Sequence, residues 1–140
     1  MREALTFDDV LLKPEYSEVL PQETCLFSSV SKSLPLAVPI LSAAMDSVTE
    51  FSMARGMAVA GGLGVVHKNI TVNEQVHIVE QIKSQDSSFA VGCAVGIGQQ
   101  GWQRADILVA AGVDALVIDT AHGHSRCVLD TALYLRTTLK

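Results

Sequence analysis

At 140 residues, with 49% hydrophobic and 18% charged side chains, the chain is long enough for a packed domain and too apolar for wholesale disorder. Ten basic against 15 acidic residues give a net charge of −5, which argues against a broad nucleic-acid or anionic-membrane surface. No apolar run approaches the ~20 residues of a membrane span, and the start Met1-Arg2-Glu3-Ala4-Leu5 lacks a signal peptide's hydrophobic stretch. Cys25, Cys93 and Cys127 are odd in number, far apart and without a C-x-x-C, so neither a disulfide framework nor a zinc site is suggested. The expectation is a soluble cytoplasmic α/β protein with no nucleic-acid or membrane partner and a core of Ala, Val, Leu and Ile.

Residues 1–37 read as an extended arm, with Phe7–Leu12 a short strand and Pro14, Pro21 and Pro35 as punctuation. Four β-branched-rich apolar runs follow: Val38–Leu41, Leu63–Val66, Phe89–Val95 and Ala115–Ile118. They lack apolar/polar alternation, as strands buried on both faces of a parallel sheet do. Their starts at Val38, Leu63, Phe89 and Asp114 are 25, 26 and 25 residues apart. A unit of ~25 residues accommodates one strand, one helix and two short loops.

The segments between the runs carry helix signals. Ser47-Val48-Thr49-Glu50 and Thr71-Val72-Asn73-Glu74 both fit the S/T-x-x-E capping box, in which hydroxyl and carboxylate satisfy orphan amides at a helix start. Asp46, just before Ser47, would then favour the helix dipole. After Thr71 the stripe Val72, Val76, Val79 and Ile82 turns inward and leaves Glu74, Gln75, Glu80 and Gln81 toward solvent. The first helix should end at Gly61-Gly62 and the third at Gly112, and a fourth should start near Ser125. An arm followed by four βα units fits half of an eight-fold barrel or one side of a doubly wound sheet.

Gly96-Ile97-Gly98-Gln99-Gln100-Gly101 matches G-x-G-x-x-G after a strand, with Asp119 closing the next one, close to a dinucleotide fingerprint. That pattern normally sits on a fold's first strand, and here the rhythm continues on both sides without reversal. A tightly packed βα loop is the preferred reading, and a doubly wound oxidoreductase ranks third among the functional readings.

Ligand sites in parallel α/β folds lie at the carboxyl ends of strands. Those ends carry Ser42–Asp46, His67-Lys68-Asn69, the glycine loop and Asp119–Ser125. Four stretches, Leu5–Leu12 (LTFDDVLL), Leu41–Glu50 (LSAAMDSVTE), Gly61–Asn69 (GGLGVVHKN) and Val117–Ser125 (VIDTAHGHS), resemble inosine 5′-monophosphate (IMP) dehydrogenase in the correct order. The resemblance implies a TIM (β/α)8 barrel that oxidises IMP to XMP with NAD. A cysteine attacks C2 of the purine, hydride passes to NAD, and water hydrolyses the thioimidate. It also implies a homotetramer and a monovalent cation (K+) whose site is not in this chain.

By the same resemblance Ser42, Ala43 and Met45 match the loop that holds the IMP base and ribose, with Met45 offering a soft apolar face. Lys68 is a further substrate-site member, able to meet a phosphate or tune a nearby acid. Asp119 matches the acid that binds the nicotinamide ribose, since a carboxylate accepts two hydroxyl hydrogen bonds. Thr120, Ala121 and His122 match the adenosine side of the cofactor. His122 and His124 are spaced i, i+2 without a ligand pattern, so no metal is assigned.

Two departures from the family stand out. Its regulatory CBS modules would lie between the second helix and the third strand, yet Ile82 to Phe89 crosses that point in a few residues. None of the three cysteines has the context of the family's nucleophile loop, so no catalytic residue is assigned and the 140 residues alone are expected to be inactive. Eight units of ~25 residues would need about 200, near the ~250 typical of the barrel. Residues 38–140 are therefore expected to be the first half of the catalytic barrel, prone to self-association through unpaired edges. GMP reductase, using NADPH, is the nearest alternative; a non-catalytic nucleotide-binding fragment is the alternative from another class.

Overall fold

The computed structural model describes residues 2–139; Met1 and Lys140, the outer ends of the expected arm and half barrel, lie outside the described residues. The chain opens as an arm with a short 3-10 turn at Pro21–Glu23, then forms β1 (Ser28–Ser31) and β2 (Leu34–Leu36). There follow β3 (Leu41–Ser42), α1 (Phe51–Val59), β4 (Leu63–Val66), α2 (Val72–Gln85), β5 (Val91–Val95), α3 (Gly98–Ala110), β6 (Ala115–Ile118) and α4 (Arg126–Thr138).

β3, β4, β5 and β6 form one parallel sheet in sequential order. A doubly wound sheet reverses its order at a switch point, whereas a barrel adds strands monotonically. The four βα units therefore have the topology of half a TIM barrel. Two of the expected strands, Leu63–Val66 and Ala115–Ile118, occur with those bounds.

Pleat alternation divides the sheet between two clusters. Val66, Val91, Cys93 and Val95 pack with Ala54, Val79, Ile82, Ala105 and Leu108 of the helices. Leu63, Val65 and Ala94 point the other way and bury Leu36 of the β1–β2 hairpin, which plugs the inner face. Gly64 belongs to the helix side, where a Cβ would overlap the Ala54 backbone; this lets α1 lie close on β4.

Several expectations are corrected. Phe7–Leu12 forms no strand: a strand needs a partner ladder, and here the only local order is a turn in which the Thr6 amide and hydroxyl both donate to Asp9 Oδ2 at 3.1 Å. Those bonds hold the exposed Asp9 carboxyl below its ordinary range. Phe7, Leu11 and Leu12 are 97–98% exposed. The arm instead contains the antiparallel β1–β2 hairpin, which pairs Ser28 with Leu36 and Ser31 with Leu34.

The first barrel strand starts at Leu41 rather than Val38. The Val38 amide goes to the Gly61 carbonyl, the Ile40 amide to the Val38 carbonyl, and Pro39 has no amide to offer. The third starts at Val91, because Phe89 closes a turn onto the Asp86 carbonyl.

The Ser47–Glu50 capping box does not form either. The amides of Val48 and Thr49 both bond the Met45 carbonyl, so a turn occupies this stretch and Glu50, extended, becomes the N-cap of α1. Asp46 therefore lies four residues before the N-cap of α1 rather than immediately before it. The box at Thr71 does form: Thr71 Oγ1 accepts from the Glu74 amide at 3.2 Å, and Glu74 Oε2 accepts from the Thr71 amide at 2.7 Å. Gly61 and Gly112 follow the C-caps of α1 and α3 with φ of +81° and +90°, as a left-handed helix exit requires.

Candidate functional site

The carboxyl ends of β3 to β6 form one rim, and its central contact joins two strands that are not neighbours. Lys68 Nζ, two residues beyond β4, donates to Asp119 Oδ2 and to the Asp119 carbonyl oxygen, each at 2.7 Å. Asp119 follows β6 and donates its own amide to the Val95 carbonyl at 3.0 Å. The pair thus spans the end of β5. Both side chains are partly open, at 32% for Lys68 and 45% for Asp119. Lys68 and Asp119 form an ion pair. One carboxylate oxygen, Oδ2, is fixed by the ammonium, and Oδ1 has no hydrogen-bond partner among the described residues.

Thr120 adds an unusual feature beside that carboxylate. Its Oγ1 is buried and has no hydrogen-bond partner among the described residues. Buried hydroxyls nearly always find one, so an orphan at a rim points to a group supplied from outside. Ala121 and His122 lie exposed in the loop that leads to Ser125, the N-cap of α4. Among the described residues no cluster of His, Cys, Asp or Glu has the makings of a metal site.

Ser42, Ala43 and Met45 sit at the other edge of the rim, after β3. The fully buried Thr49 hydroxyl lies 2.6 Å from the Ala43 carbonyl oxygen and 2.8 Å from Ser42 Oγ, which ties this loop to the segment entering α1. Met45 is 53% exposed. The structure brings Lys68 and Asp119 together; β4 and β5 separate the Ser42 loop from Asp119.

Two residues that the sequence named without a role of their own support the loop that carries Lys68. His67 is buried, its Nδ1 accepts from the Asn69 amide at 3.1 Å, and its Nε2 stands 3.5 Å from Glu50 Oε1. An acceptor Nδ1 places the proton on Nε2, so this ring is fixed as a prop for the loop carrying Lys68. Gln75 is fully buried, correcting the expectation that it faces solvent. Its Nε2 lies 3.0 Å from the carbonyls of His67 and Ala94, and its Oε1 accepts from Arg104 at 2.6 Å. The signal was present: Val72, Gln75, Val79 and Ile82 share one helical stripe.

The three cysteines lie in different parts of the chain. Cys93 is buried mid-strand against the helices, and burial pushes its thiol up to about 12. Cys25 and Cys127 are exposed, in the arm and at the start of α4.

Residues 4–140 match the IMP dehydrogenase / GMP reductase domain. The chain belongs to that family. It is 35% identical to inosine-5′-monophosphate dehydrogenase of Cryptosporidium parvum over 96% of its own length and 44% of the relative's. It is 33% identical to the Borreliella burgdorferi protein of the same name over 97% of this chain and 46% of that one. With the Rhizobium tropici namesake identity rises to 51%, over 64% of this chain and 18% of the relative. The chain thus spans less than half the length of these relatives, and the region shared with the IMP dehydrogenase / GMP reductase family includes all four rim loops.

Proposed function

We propose that this chain contributes the first half of a barrel that oxidises IMP to XMP with NAD, as a cytoplasmic homotetramer. The Lys68–Asp119 pair carries the reading, together with relatives named as the dehydrogenase. The rim residues fit the cofactor: Asp119 Oδ1 is open to accept from the hydroxyls of the nicotinamide ribose, and the orphan Thr120 Oγ1 lacks only a partner. NAD, when bound, supplies the hydride acceptor.

The chain's own part is to bind and orient. Lys68 fixes the carboxylate so that one oxygen faces the diol. Ser42, Ala43 and Met45 hold the purine base and ribose, and Ala121 and His122 flank the adenosine. The nucleophile is none of Cys25, Cys93 and Cys127, and the monovalent cation of the family is assigned no ligand among these residues. Residues 86–90, between α2 and β5, leave no room for CBS modules, so regulation through them is not part of the proposal.

The test is the isolated chain with IMP and NAD, followed by NADH absorbance and by calorimetric NAD binding. No turnover and measurable NAD binding that Asp119→Ala weakens are expected. Turnover would overturn the incompleteness of the chain; NAD affinity unchanged by Asp119→Ala would overturn the rim assignment. Preference for NADPH over NAD would favour the reductase.

A further inference from the structure

The loop that carries Lys68 is fastened on both sides of that residue. Before it, the His67 carbonyl lies 3.0 Å from Gln75 Nε2. After it, the Ile70 carbonyl accepts from Arg104 Nη1 and Nη2, each at 3.1 Å. Arg104 stands on α3, 34 residues from Ile70, so the helix after β5 holds the loop after β4.

Both members of the Lys68–Asp119 pair take β5 as their reference. Gln75 Nε2 lies 3.0 Å from the Ala94 carbonyl while it also holds His67. The Asp119 amide donates to the next carbonyl of β5, that of Val95, at 3.0 Å. Any shift of the Lys68 loop against β5 therefore moves Lys68 against Asp119, and the two 2.7 Å bonds between them leave little slack.

Arg104 decides which way round Gln75 is used. Gln75 is fully buried, and a carboxamide has a donor end and an acceptor end of nearly the same shape. Arg104 Nη1, 2.6 Å from Gln75 Oε1, is the only donor to that oxygen among the described residues. Without it the present orientation leaves a buried acceptor unpaired, and a half-turn of the amide sets Oε1 against two carbonyl oxygens. A planar guanidinium reaches Oε1 and the Ile70 carbonyl at once, because its N–H groups diverge in a fixed fork.

We infer that Arg104 is a positioning residue for the rim: by holding Ile70 and setting the sense of Gln75, it places Lys68 against Asp119. Its effect on NAD rests on the dehydrogenase reading; its effect on Lys68 does not.

The test compares Arg104→Met, Arg104→Lys and Ile82→Val in the isotopically labelled chain. Ile82 is buried in the helix-side core, seven residues along α2 from Gln75, and its truncation loosens the fold away from this network. The readouts are exchange of the Gln75 side-chain amide protons, the Lys68–Asp119 side-chain nuclear Overhauser effect, and calorimetric NAD binding. In Arg104→Met the amide protons should exchange about tenfold faster, the Lys68–Asp119 signal should vanish, and NAD affinity should fall about tenfold. Arg104→Lys keeps the charge and a donor for Oε1, and should restore part of all three. Ile82→Val should lower the melting midpoint and move none of them. An unchanged Lys68–Asp119 signal in Arg104→Met, or the same loss in Ile82→Val, would overturn the positioning role. A parent chain that shows the signal but binds no NAD overturns the cofactor reading alone, because the two magnetic-resonance readouts still decide the role of Arg104.

Discussion

Lys68 and Asp119, 51 residues apart in the chain, meet through two 2.7 Å hydrogen bonds from one ammonium, one to the carboxylate and one to the carbonyl of the same aspartate. Loss of Lys68 frees the carboxylate and the carbonyl oxygen of Asp119, while the Asp119 amide stays bonded to the Val95 carbonyl. If the carboxylate binds a ribose diol, Lys68→Met should lower NAD affinity by about tenfold and Lys68→Arg should restore part of it. Global stability should change by less than ~1 kcal/mol, because the pair is partly solvated. Calorimetry and thermal melts of the two variants separate these effects.

Gln75→Leu should destabilise far more than a surface change on α2. The amide serves the carbonyls of His67 and Ala94 and anchors Arg104, all on buried or half-buried groups. Leucine fills the volume and satisfies none of them, at a cost of about 2–3 kcal/mol. Urea denaturation checks it, with Gln81→Leu as the exposed comparison.

Gly101→Ala should be similarly damaging despite its small size. A Cβ there would drive into the Gly96 carbonyl, which is backbone and has no rotamer to yield. A loss of at least about 2 kcal/mol is expected in the same denaturation assay. The third glycine of the G-x-G-x-x-G pattern is thus explained by the contact of α3 with the end of β5.

Cys93 should resist thiol reagents at pH 8 in the native state, while the exposed Cys25 and Cys127 react. Burial raises its pKa from 9.0 to about 12, so the unfolded chain loses this proton first. Stability from this group is complete below pH 9 and falls as pH rises from about 9 to about 12. Cys93→Ala should flatten that alkaline fall in a pH series of melting midpoints.

What was legible in the sequence was local or periodic. The 25-residue rhythm fixed the number of βα units, and the apolar runs at Leu63–Val66 and Ala115–Ile118 were strands, the first buried on both faces and the second half-buried with Val117 exposed. The Thr71 box formed because its two partners lie within one turn. The four motifs of the family were likewise readable as strings of residues.

Tertiary structure decided the rest. Ser47 carries the same box as Thr71, but the turn onto the Met45 carbonyl moved the helix start to Phe51. Gln75 is polar, and only the carbonyls at the ends of β4 and β5 explain why it faces inward. The partner of Lys68 depended on β4 and β6 flanking β5 in a parallel sheet, a relation between distant segments. Sequence determined which units form, since hydrogen-bonding and burial preferences act within a few residues. Folding determined which side chains meet at their ends, because contacts across strands are set by sheet order and register.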